Sequence, residues 1–321
     1  MIELVAHSEA MREAVRLAGR VAKTDANVLI TGESGAGKDA LALYVHRESK
    51  RAAAPFVKID CAALPAELLE AELFGYERGA FTGANESKPG RLEAAHKGTL
   101  VLDEIAHLST DAQAKLLRVI ERREFERLGG RRTVRVDARL VALTNVDLDE
   151  AVRRREFRPD LFYRLNVVRI HVPPLRERRE DVRRLARGFL KTYAGMHGRR
   201  ALRIEPDALG LLETYDFPGN VRELAHVLER AVIVADGERI GVEHLPEAVR
   251  AAASLQRRRE ARMTLAELEA AYIVETLAAV RGNKSEAARL LGISRKNLYE
   301  KLARQKGNDK GNEERGTMND E

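Results

Sequence analysis

The sequence predicts an α/β fold with a parallel central sheet, followed by smaller all-helical units. Short apolar runs, which are typical of buried strands, alternate with segments of helical periodicity through the first half of the chain. The strand pattern then stops at Pro173 and Pro174, and only helical periodicity continues beyond them. Alternating strands and helices favour a parallel sheet that is covered by helices on both faces.

The individual elements follow from this periodicity. Short runs rich in Val, Ile and Leu predict strands at residues 27–31, 56–60, 99–102, 139–143 and 167–172. Apolar residues at three- and four-residue spacing predict helices at residues 8–22, 40–49, 65–74, 111–122, 180–196, 206–215 and 219–235. Pro65 suits the first turn of its helix, where a missing N–H does no harm.

These elements predict five segments of different character. We expect an α/β unit at residues 1–172, a helical unit at 173–247, a connector at 248–263 and a second helical unit at 264–306. Residues 307–321 are polar and almost free of apolar side chains, which predicts a disordered tail.

Composition limits the classes of protein that are possible. The 321 residues are 44% hydrophobic and 33% charged, which permits a core of two or three compact units under a polar surface. No apolar run is long enough to cross a bilayer and the N-terminus lacks a signal-peptide pattern, so we expect no membrane partner. Cys61 is the one cysteine, which suits a reducing cytoplasm and a small core residue.

The positive charge is concentrated towards the C-terminus. The whole chain carries 56 Lys and Arg against 50 Asp and Glu, a net charge of +6. Residues 256–306 hold 12 basic against 6 acidic side chains, which is also a local excess of +6. A contact with nucleic acid is therefore expected first in this segment.

A glycine-rich turn between the first strand and the next helix predicts a phosphate-binding loop. Backbone N–H groups can turn inward around an anion there, and the helix N-terminus adds its positive dipole end. Lys38 supplies a point charge for the outer phosphates, and Asp39 places a carboxylate near a magnesium ion, directly or through water. We therefore expect a nucleotide site formed by Gly32, Glu33, Ser34, Gly35, Ala36, Gly37, Lys38 and Asp39.

Carboxylates follow a second buried strand. Asp103 and Glu104 end the run at 99–102, where the first can order magnesium and the second can polarise an attacking water. Asn145, at the end of the next candidate strand, is expected beside the γ-phosphate. The alternative for the acidic pair is a strand end that merely caps a helix.

These motifs resemble those of AAA+ ATPases. One insertion narrows the resemblance, because residues 79–84 read GAFTGA. This hexapeptide is similar to the signature of bacterial enhancer-binding proteins, which activate RNA polymerase carrying sigma-54. The resemblance implies an AAA+ P-loop fold with a helical lid, ATP and Mg²⁺ as ligands, and a sigma-factor contact formed by Gly79, Ala80, Phe81, Thr82, Gly83 and Ala84. Its glycines make a pliable loop that exposes one aromatic ring and one hydroxyl.

The resemblance implies further site residues. Residues 157–166 are similar to the arginine-finger segment of the family, which gives Arg158 and Arg164 a place at the γ-phosphate of a neighbouring subunit. The active form is then a homo-oligomeric ring, in this family usually a hexamer. Arg222 resembles the lid arginine that senses nucleotide, and residues 129–133 resemble a second substrate-facing loop. The alternative for the two finger arginines is an ordinary basic surface.

Two positions depart from the family pattern. The family commonly has Glu where this chain has Asp39, and Asn where it has Asp60. That Asn pairs with the catalytic Glu, whereas an Asp can bond Glu104 only through a protonated carboxyl or through water. These two changes therefore concern the coupling between ligand state and hydrolysis more than hydrolysis itself.

The C-terminal helical unit resembles the Fis-type DNA-binding domain of these activators. Residues 282–299 read as a helix, a turn at Gly292 and a second helix, which Ser294 can cap. Side chains for phosphates and base edges of upstream duplex DNA are expected at Asn283, Lys284, Ser294, Arg295, Lys296, Asn297 and Tyr299. The alternative is a basic helical hairpin that docks on the lid.

We therefore predict an ATP-hydrolysing activator that binds upstream DNA and remodels the closed complex of RNA polymerase and sigma-54. One rival is a DNA-binding repressor on a decayed ATPase frame, which the intact Lys38, Asp103 and Glu104 argue against. The other is an AAA+ motor acting on a different protein or on DNA, which the GAFTGA loop disfavours.

Overall fold

The computed structural model describes residues 4–199, 202–251, 269–270, 272–274, 276–277, 280 and 282–302. The chain divides into two compact units, Met1–Val249 and Arg250–Glu321, which are described separately. The predicted tail at 307–321 and most of the predicted connector lie outside the described residues, and the predicted boundaries at 172, 247, 263 and 306 remain predictions. Within the described ranges, no helix is long and apolar enough to cross a membrane.

The first unit contains eleven strands and ten helices among its described residues. The strands are β1 (Val28–Thr31), β2 (Phe56–Asp60), β3 (Gly75–Tyr76), β4 (Lys88–Pro89), β5 (Thr99–Asp103), β6 (Glu124–Glu126), β7 (Thr133–Arg135), β8 (Arg139–Thr144), β9 (Val168–His171), β10 (Arg203–Ile204) and β11 (Arg239–Ile240). The helices are α1 (Glu9–Ala22), α2 (Lys38–Arg47), α3 (Ala66–Phe74), α4 (Arg91–Ala94), α5 (Thr110–Arg122), α6 (Leu148–Arg153), α7 (Pro159–Leu165), α8 (Arg179–Met196), α9 (Pro206–Thr214) and α10 (Asn220–Val234).

Five strands form the parallel sheet that the sequence predicts, in the order β2-β5-β8-β1-β9. Alternate residues of a strand pack into different cores, because successive side chains point to opposite faces of the sheet. Leu100 and Leu102 of β5 pack with α3, α5 and α7 in one core, whereas Val101 packs with α1 and α2 in the other. Both faces are covered, which explains why the strands read as continuous apolar runs.

Two small hairpins extend from the helices beside β5. Strands β3 and β4 pair antiparallel after α3, and β6 and β7 pair antiparallel after α5. Helices α8, α9 and α10, called the lid below, follow the sheet. The prediction of an all-helical segment there was wrong in one detail, because β10 and β11 pair in parallel. Each is two residues long, too short to give a periodicity signal.

Arg139 is the largest fully buried side chain of this unit among the described residues, at 2% exposure, and it joins the sheet to α1. Its guanidinium donates to the carbonyl oxygens of Val21 (2.8 Å), Ala22 (3.0 Å) and Ala26 (3.3 Å). These carbonyls lie at and just beyond the C-terminal end of α1, where helix carbonyls lack partners and attract a cation. Burial lowers the pKa of Arg139, and the nearby Asp25 carboxylate opposes this shift.

Replacing Arg139 by Met should therefore destabilise this unit strongly. The substitution leaves three carbonyl oxygens without their donor, so we expect a loss of about 3 kcal/mol in the free energy of unfolding. Urea denaturation followed by circular dichroism measures it. The control is Arg12→Met on α1, whose exposed pair with Glu9 (3.3 Å) should contribute less than about 1 kcal/mol. Equal losses in the two variants would contradict the role assigned to Arg139.

Candidate functional site

The phosphate loop lies between β1 and α2 with its glycines in conformations that other residues avoid. Gly32, Gly35 and Gly37 have φ angles of +152°, +73° and +104°. A Cβ at Gly32 would lie 2.6 Å from the carbonyl oxygen of Val172, and one at Gly35 would lie 2.5 Å from that of Gly219. Two of the three glycines are thus required by space as well as by φ. The loop leads into the N-terminus of α2, an arrangement that can bind an anion.

Lys38 is the first residue of α2 and its side chain is buried under the loop. Its ammonium donates to the carbonyl oxygens of Gly32 (2.9 Å) and Glu33 (3.3 Å) and lies 3.4 Å from Oε1 of Glu104. The structure therefore joins the phosphate loop to the acidic end of β5 through one side chain. This brings together two motifs that are 66 residues apart in the sequence.

Three charged side chains meet beside the loop. The Lys58 ammonium, on β2, contacts the carboxylates of Asp39 and Asp103, the latter at 2.7 Å. Burial lowers the pKa of Lys58, but its hydrogen bonds to Asp103 and Asp39 outweigh this and raise the pKa above its usual value. Because the two carboxylates share one cation, their oxygens converge as the ligands of a hard divalent cation must. Carboxylate oxygens suit Mg²⁺ in kind, and within the described residues no cluster of three or more His, Cys, Asp or Glu side chains that could hold a metal is present, so water and phosphate oxygens would have to supply the remaining ligands.

Glu104 adopts a left-handed conformation, with φ of +51°, directly after β5. Its Oε2 accepts a hydrogen bond from the backbone N–H of Asn145 at 3.1 Å, while its Oε1 faces Lys38. A non-glycine residue held in this conformation is often part of an active site. The structure therefore places Glu104 between the phosphate loop and the end of β8. It is Asn145's main chain that makes this contact.

Asp60 caps the turn after β2. Its Oδ1 accepts a hydrogen bond from the N–H of Ala62 at 2.9 Å, and across the described part of the chain no hydrogen bond joins it to Glu104. The neighbouring Cys61 lies in the core as expected, and burial raises the pKa of its thiol to about 12. The thiol is therefore protonated and unreactive at neutral pH.

The lid and the turn just before it, Leu175–Glu177, contact the phosphate loop through polar groups. Arg222 donates to the hydroxyl of Ser34 at 3.0 Å. Arg176 makes two hydrogen bonds to Glu33, at 2.6 and 2.8 Å, and the Nδ2 of Asn220 donates to Glu33 at 3.0 Å. These bonds from Arg176 and Asn220 lower the pKa of Glu33 to about 2. The side chain of Glu33 therefore points towards Arg176 and Asn220.

The two predicted finger arginines lie on the segment around α7. Arg158 makes two hydrogen bonds to Asp160, at 3.0 and 2.7 Å, and Arg164 pairs with Glu121 at 3.2 Å. In the ranges that the structure describes, neither guanidinium contacts the phosphate loop of its own chain. Both side chains remain partly exposed.

The GAFTGA loop projects from the β3–β4 hairpin. Gly79 and Gly83 have φ of +85° and +106°, and the Gly79 N–H donates to the Ala84 carbonyl oxygen at 2.8 Å. Thr82 is exposed, and Phe81 is 42% exposed with its ring edge-on to Tyr76 at 5.0 Å. Ala80 and the buried Ala84 complete the loop. The structure thus presents the aromatic ring and the hydroxyl at its tip.

The second loop, 129–133, lies against the first. The N–H of Glu77 donates to the Leu128 carbonyl oxygen, and the N–H of Leu128 donates to that of Gly75, both at 3.0 Å. A Cβ at Gly129 would lie 2.8 Å from the Cβ of Ala80. The two loops are therefore packed closely together at Gly129 and Ala80.

In the second unit, α11 (Lys284–Leu290) and the helical residues 295–302 form a helix-turn-helix. Ala287, Ala288 and Leu298 are buried together with Ile273. Asn283 caps α11, and Ser294 accepts from the N–H of Asn297 at 3.2 Å. The Lys284 ammonium lies 4.8 Å from the centre of the Tyr299 ring. Arg295, Lys296 and Asn297 are exposed in the first turn of the second helix.

Sequence patterns did not reveal two of these contacts. Lys58 lies two residues before Asp60 on an edge strand, and nothing local marks it as the partner of Asp39 and Asp103. The contact of Glu33 with Arg176 joins residues 143 positions apart. The available signal for Lys58 was a charged residue between the apolar Val57 and Ile59.

Comparison with known proteins covers both units. A family model described as the Sigma-54 interaction domain matches residues 4–171. A model described as the AAA+ ATPase lid domain matches residues 176–262, and one described as Bacterial regulatory protein, Fis family, matches residues 264–304.

Individual relatives agree with these matches. The regulatory protein AtoC of Escherichia coli K12 is 44% identical over 307 residues, which cover 93% of this chain and 67% of AtoC. The transcriptional regulatory protein ZraR of Klebsiella oxytoca is 47% identical over 303 residues, which cover 94% of this chain and 68% of ZraR. The chain thus spans about two thirds of the length of these relatives.

A solved structure gives the same result. NtrX from Brucella abortus in complex with ATP is 37% identical, with a TM-score of 0.71, covering 94% of this chain and 69% of the NtrX chain. The chain therefore belongs to the sigma-54-dependent transcriptional regulators, in which an AAA+ ATPase domain precedes a Fis-type helix-turn-helix domain.

Proposed function

We propose that the chain hydrolyses ATP in a ring of identical subunits and uses the hydrolysis to remodel sigma-54 within the closed promoter complex. The observation that carries this proposal is the convergence of Lys38, Asp103 and Glu104 at one edge of the sheet, in a chain that also displays the GAFTGA loop. The same edge holds the phosphate loop, so binding and hydrolysis share one site.

ATP is expected to bind with its phosphates against the loop formed by residues 32–39. The backbone N–H groups of the loop and the Lys38 ammonium supply positive charge to the phosphate oxygens. Asp103, directly or through water, and Asp39 would hold Mg²⁺, which supplies neutralising charge to the β- and γ-phosphates. Lid residue Arg222, which already contacts Ser34 at 3.0 Å, is placed to sense the bound nucleotide.

Glu104 is the proposed general base that orients the attacking water. Its left-handed backbone and its bond from the Asn145 N–H fix one carboxylate oxygen, and the other oxygen faces Lys38. A carboxylate held in this way can accept the proton of a water that attacks the γ-phosphate. Asn145 lies at the end of the neighbouring strand and is proposed to sense the γ-phosphate.

The site is incomplete within one subunit. Arg158 and Arg164 are bound to acidic neighbours on their own chain, and an arginine finger acts by stabilising charge on a transferring phosphoryl group. We infer that each subunit supplies these arginines to the nucleotide of the next, which makes a ring, usually a hexamer in this family, the active form. ATP and chromosomal DNA are both cytoplasmic, and the cytoplasm is the proposed site of action.

The exposed GAFTGA loop is proposed to connect ATP hydrolysis with sigma-54. Phe81 and Thr82 are proposed to contact sigma-54, flanked by the glycines that let the loop change its height. The helix-turn-helix is proposed to hold the ring near its promoter by contacts of Lys284, Arg295, Lys296 and Asn297 with upstream duplex DNA. Asn283 and Ser294 contribute there by fixing the starts of the two helices.

Substitutions at the sheet edge should separate binding from hydrolysis. Glu104→Gln removes the base but keeps the shape of the side chain, so we expect turnover to fall by about 100-fold or more while ATP binding is retained. Lys38→Ala removes charge facing the phosphates and should lose both. Turnover and the binding of a fluorescent ATP analogue measure the two effects.

The control for this pair is Glu67→Gln, in the first turn of α3, which should leave both quantities unchanged. Wild-type turnover in Glu104→Gln would contradict the assignment of the base. Absence of turnover in the wild-type ring would instead favour a regulator that binds DNA without hydrolysing ATP.

Thr82→Ala should separate ATP hydrolysis from promoter opening. Loss of the hydroxyl at the loop tip should abolish promoter opening by sigma-54 polymerase on supercoiled DNA. ATP turnover should stay within about twofold of wild type, because Thr82 is exposed and, in the described part of the chain, no hydrogen bond joins it to the nucleotide residues. Glu86→Ala, just beyond the loop, is the control and should still open the promoter. Full opening by Thr82→Ala would place the sigma-54 contact elsewhere.

A further inference from the structure

Gln113, on α5, is a buried polar residue that the chemistry proposed above does not use. Its side chain is 1% exposed, yet all of its hydrogen bonds lead to the segment before α7 or to the turn after Glu104. Nε2 donates to the carbonyl oxygens of Leu108 (2.9 Å) and Glu156 (3.2 Å), and Oε1 accepts from the N–H of Arg158 (2.8 Å).

These partners require an amide in one orientation. Two carbonyl oxygens face one end of the side chain and one N–H faces the other, so the amine group and the oxygen of Gln113 cannot be exchanged. A carboxylate would set an anionic oxygen against two carbonyl oxygens, and an apolar side chain would leave all three backbone groups unpaired. Buried backbone groups without partners are strongly disfavoured.

Two of the hydrogen bonds of Gln113 go to Glu156 and Arg158, the residues directly before and after Phe157. That ring is 1% exposed and fills the core, so it holds the segment against the sheet domain. The bonds to Glu156 and Arg158 then fix the backbone before and after the ring. Arg158 is the N-cap residue of α7, so its backbone direction determines where the guanidinium projects.

The third hydrogen bond, from Gln113 to the carbonyl oxygen of Leu108, connects the residues around Phe157 to the turn that follows Glu104. Leu108 ends the turn that follows Glu104, in which the N–H of His107 donates to the Glu104 carbonyl oxygen at 3.0 Å and the N–H of Leu108 to that of Ile105 at 3.2 Å. The amide therefore joins the turn after Glu104 to the backbone of Arg158 within one chain.

We propose that Gln113 is a positioning residue for the arginine finger, and that it fixes Arg158 for the active site of the neighbouring subunit. The inference rests on the finger role proposed above. In the described part of the chain, the side-chain hydrogen bonds of Gln113 lead to Leu108, Glu156 and Arg158, and none joins it to the phosphate loop or to the carboxylates of Asp103 and Glu104. Its loss should therefore harm the subunit that receives the finger and spare the nucleotide site of the subunit that carries the substitution.

Gln113→Met tests this proposal, because Met has a similar length and no strong hydrogen-bonding group. Rings of this variant alone should lose about 10- to 100-fold in turnover, as expected for a misplaced catalytic group, and should still bind a fluorescent ATP analogue. This result by itself does not separate positioning from general damage, and mixed rings supply the separation.

The mixed rings combine two inactive chains. The Arg158→Ala chain keeps its nucleotide site but supplies no arginine finger. The Lys38→Ala chain supplies a finger but has no working nucleotide site. Mixing the two chains should restore turnover, because the finger of one then completes the site of the other. Adding Gln113→Met to the Lys38→Ala chain should remove this rescue. Adding Gln113→Met to the Arg158→Ala chain should leave the rescue intact, since that chain contributes only its nucleotide site.

Each outcome is decisive. Without rescue in the starting mixture, the finger role itself fails and this inference fails with it. With rescue, three results overturn the proposal. Loss in both placements of Gln113→Met would show general damage, and loss in neither would show no role. Loss only in the Arg158→Ala chain would show that Gln113 acts on its own nucleotide site. Leu116→Ala, a buried residue of the same helix, is the control for reduced stability and should preserve rescue when placed in the Lys38→Ala chain.

Discussion

The carboxyl ends of five parallel strands lie at one edge of the sheet, and the proposed chemistry depends on that alignment. The phosphate loop follows β1, Asp103 and Glu104 lie at the end of β5, and Asn145 follows β8, whereas Arg222 comes from α10 and the proposed finger arginines come from the segment around α7. Parallel register makes these ends coincide, as in the pairs Thr31–Thr144 and Asp60–Asp103. The carboxyl edge of such a sheet is where α/β proteins generally bind ligands.

Helix α5 joins this edge to two other parts of the molecule. Its N-terminus follows the turn after Glu104, its first turns carry Gln113 towards the finger segment, and its C-terminus leads into the β6–β7 hairpin. The turn of that hairpin contacts β3 and Glu77 through Leu128, and it contacts Ala80 of the GAFTGA loop through Gly129. A shift of α5 would therefore reach both the loop proposed to contact sigma-54 and the segment that carries the proposed finger arginine Arg158. The physical basis is a rigid helix with three fixed attachments.

The fold and most of the nucleotide site were predictable because their signals are local. Buried parallel strands read as apolar runs, and the strands match the predicted runs to within one residue at each end. The phosphate loop is a contiguous segment whose glycines are required by conformation. Sequence patterns did not reveal contacts that join distant parts of the chain, such as those between Lys58 and Asp103 and between Glu33 and Arg176. Gln113 was missed because a polar residue on an amphipathic helix is expected to face water.

The measurement that tests the central claim most directly is ATP turnover per subunit as a function of protein concentration. A site completed by arginines from a neighbour has no activity in the monomer and gains it on assembly, so turnover per subunit should rise steeply with concentration and then reach a plateau. Turnover that is substantial and independent of concentration, down to concentrations at which the chain is monomeric, would contradict a shared active site.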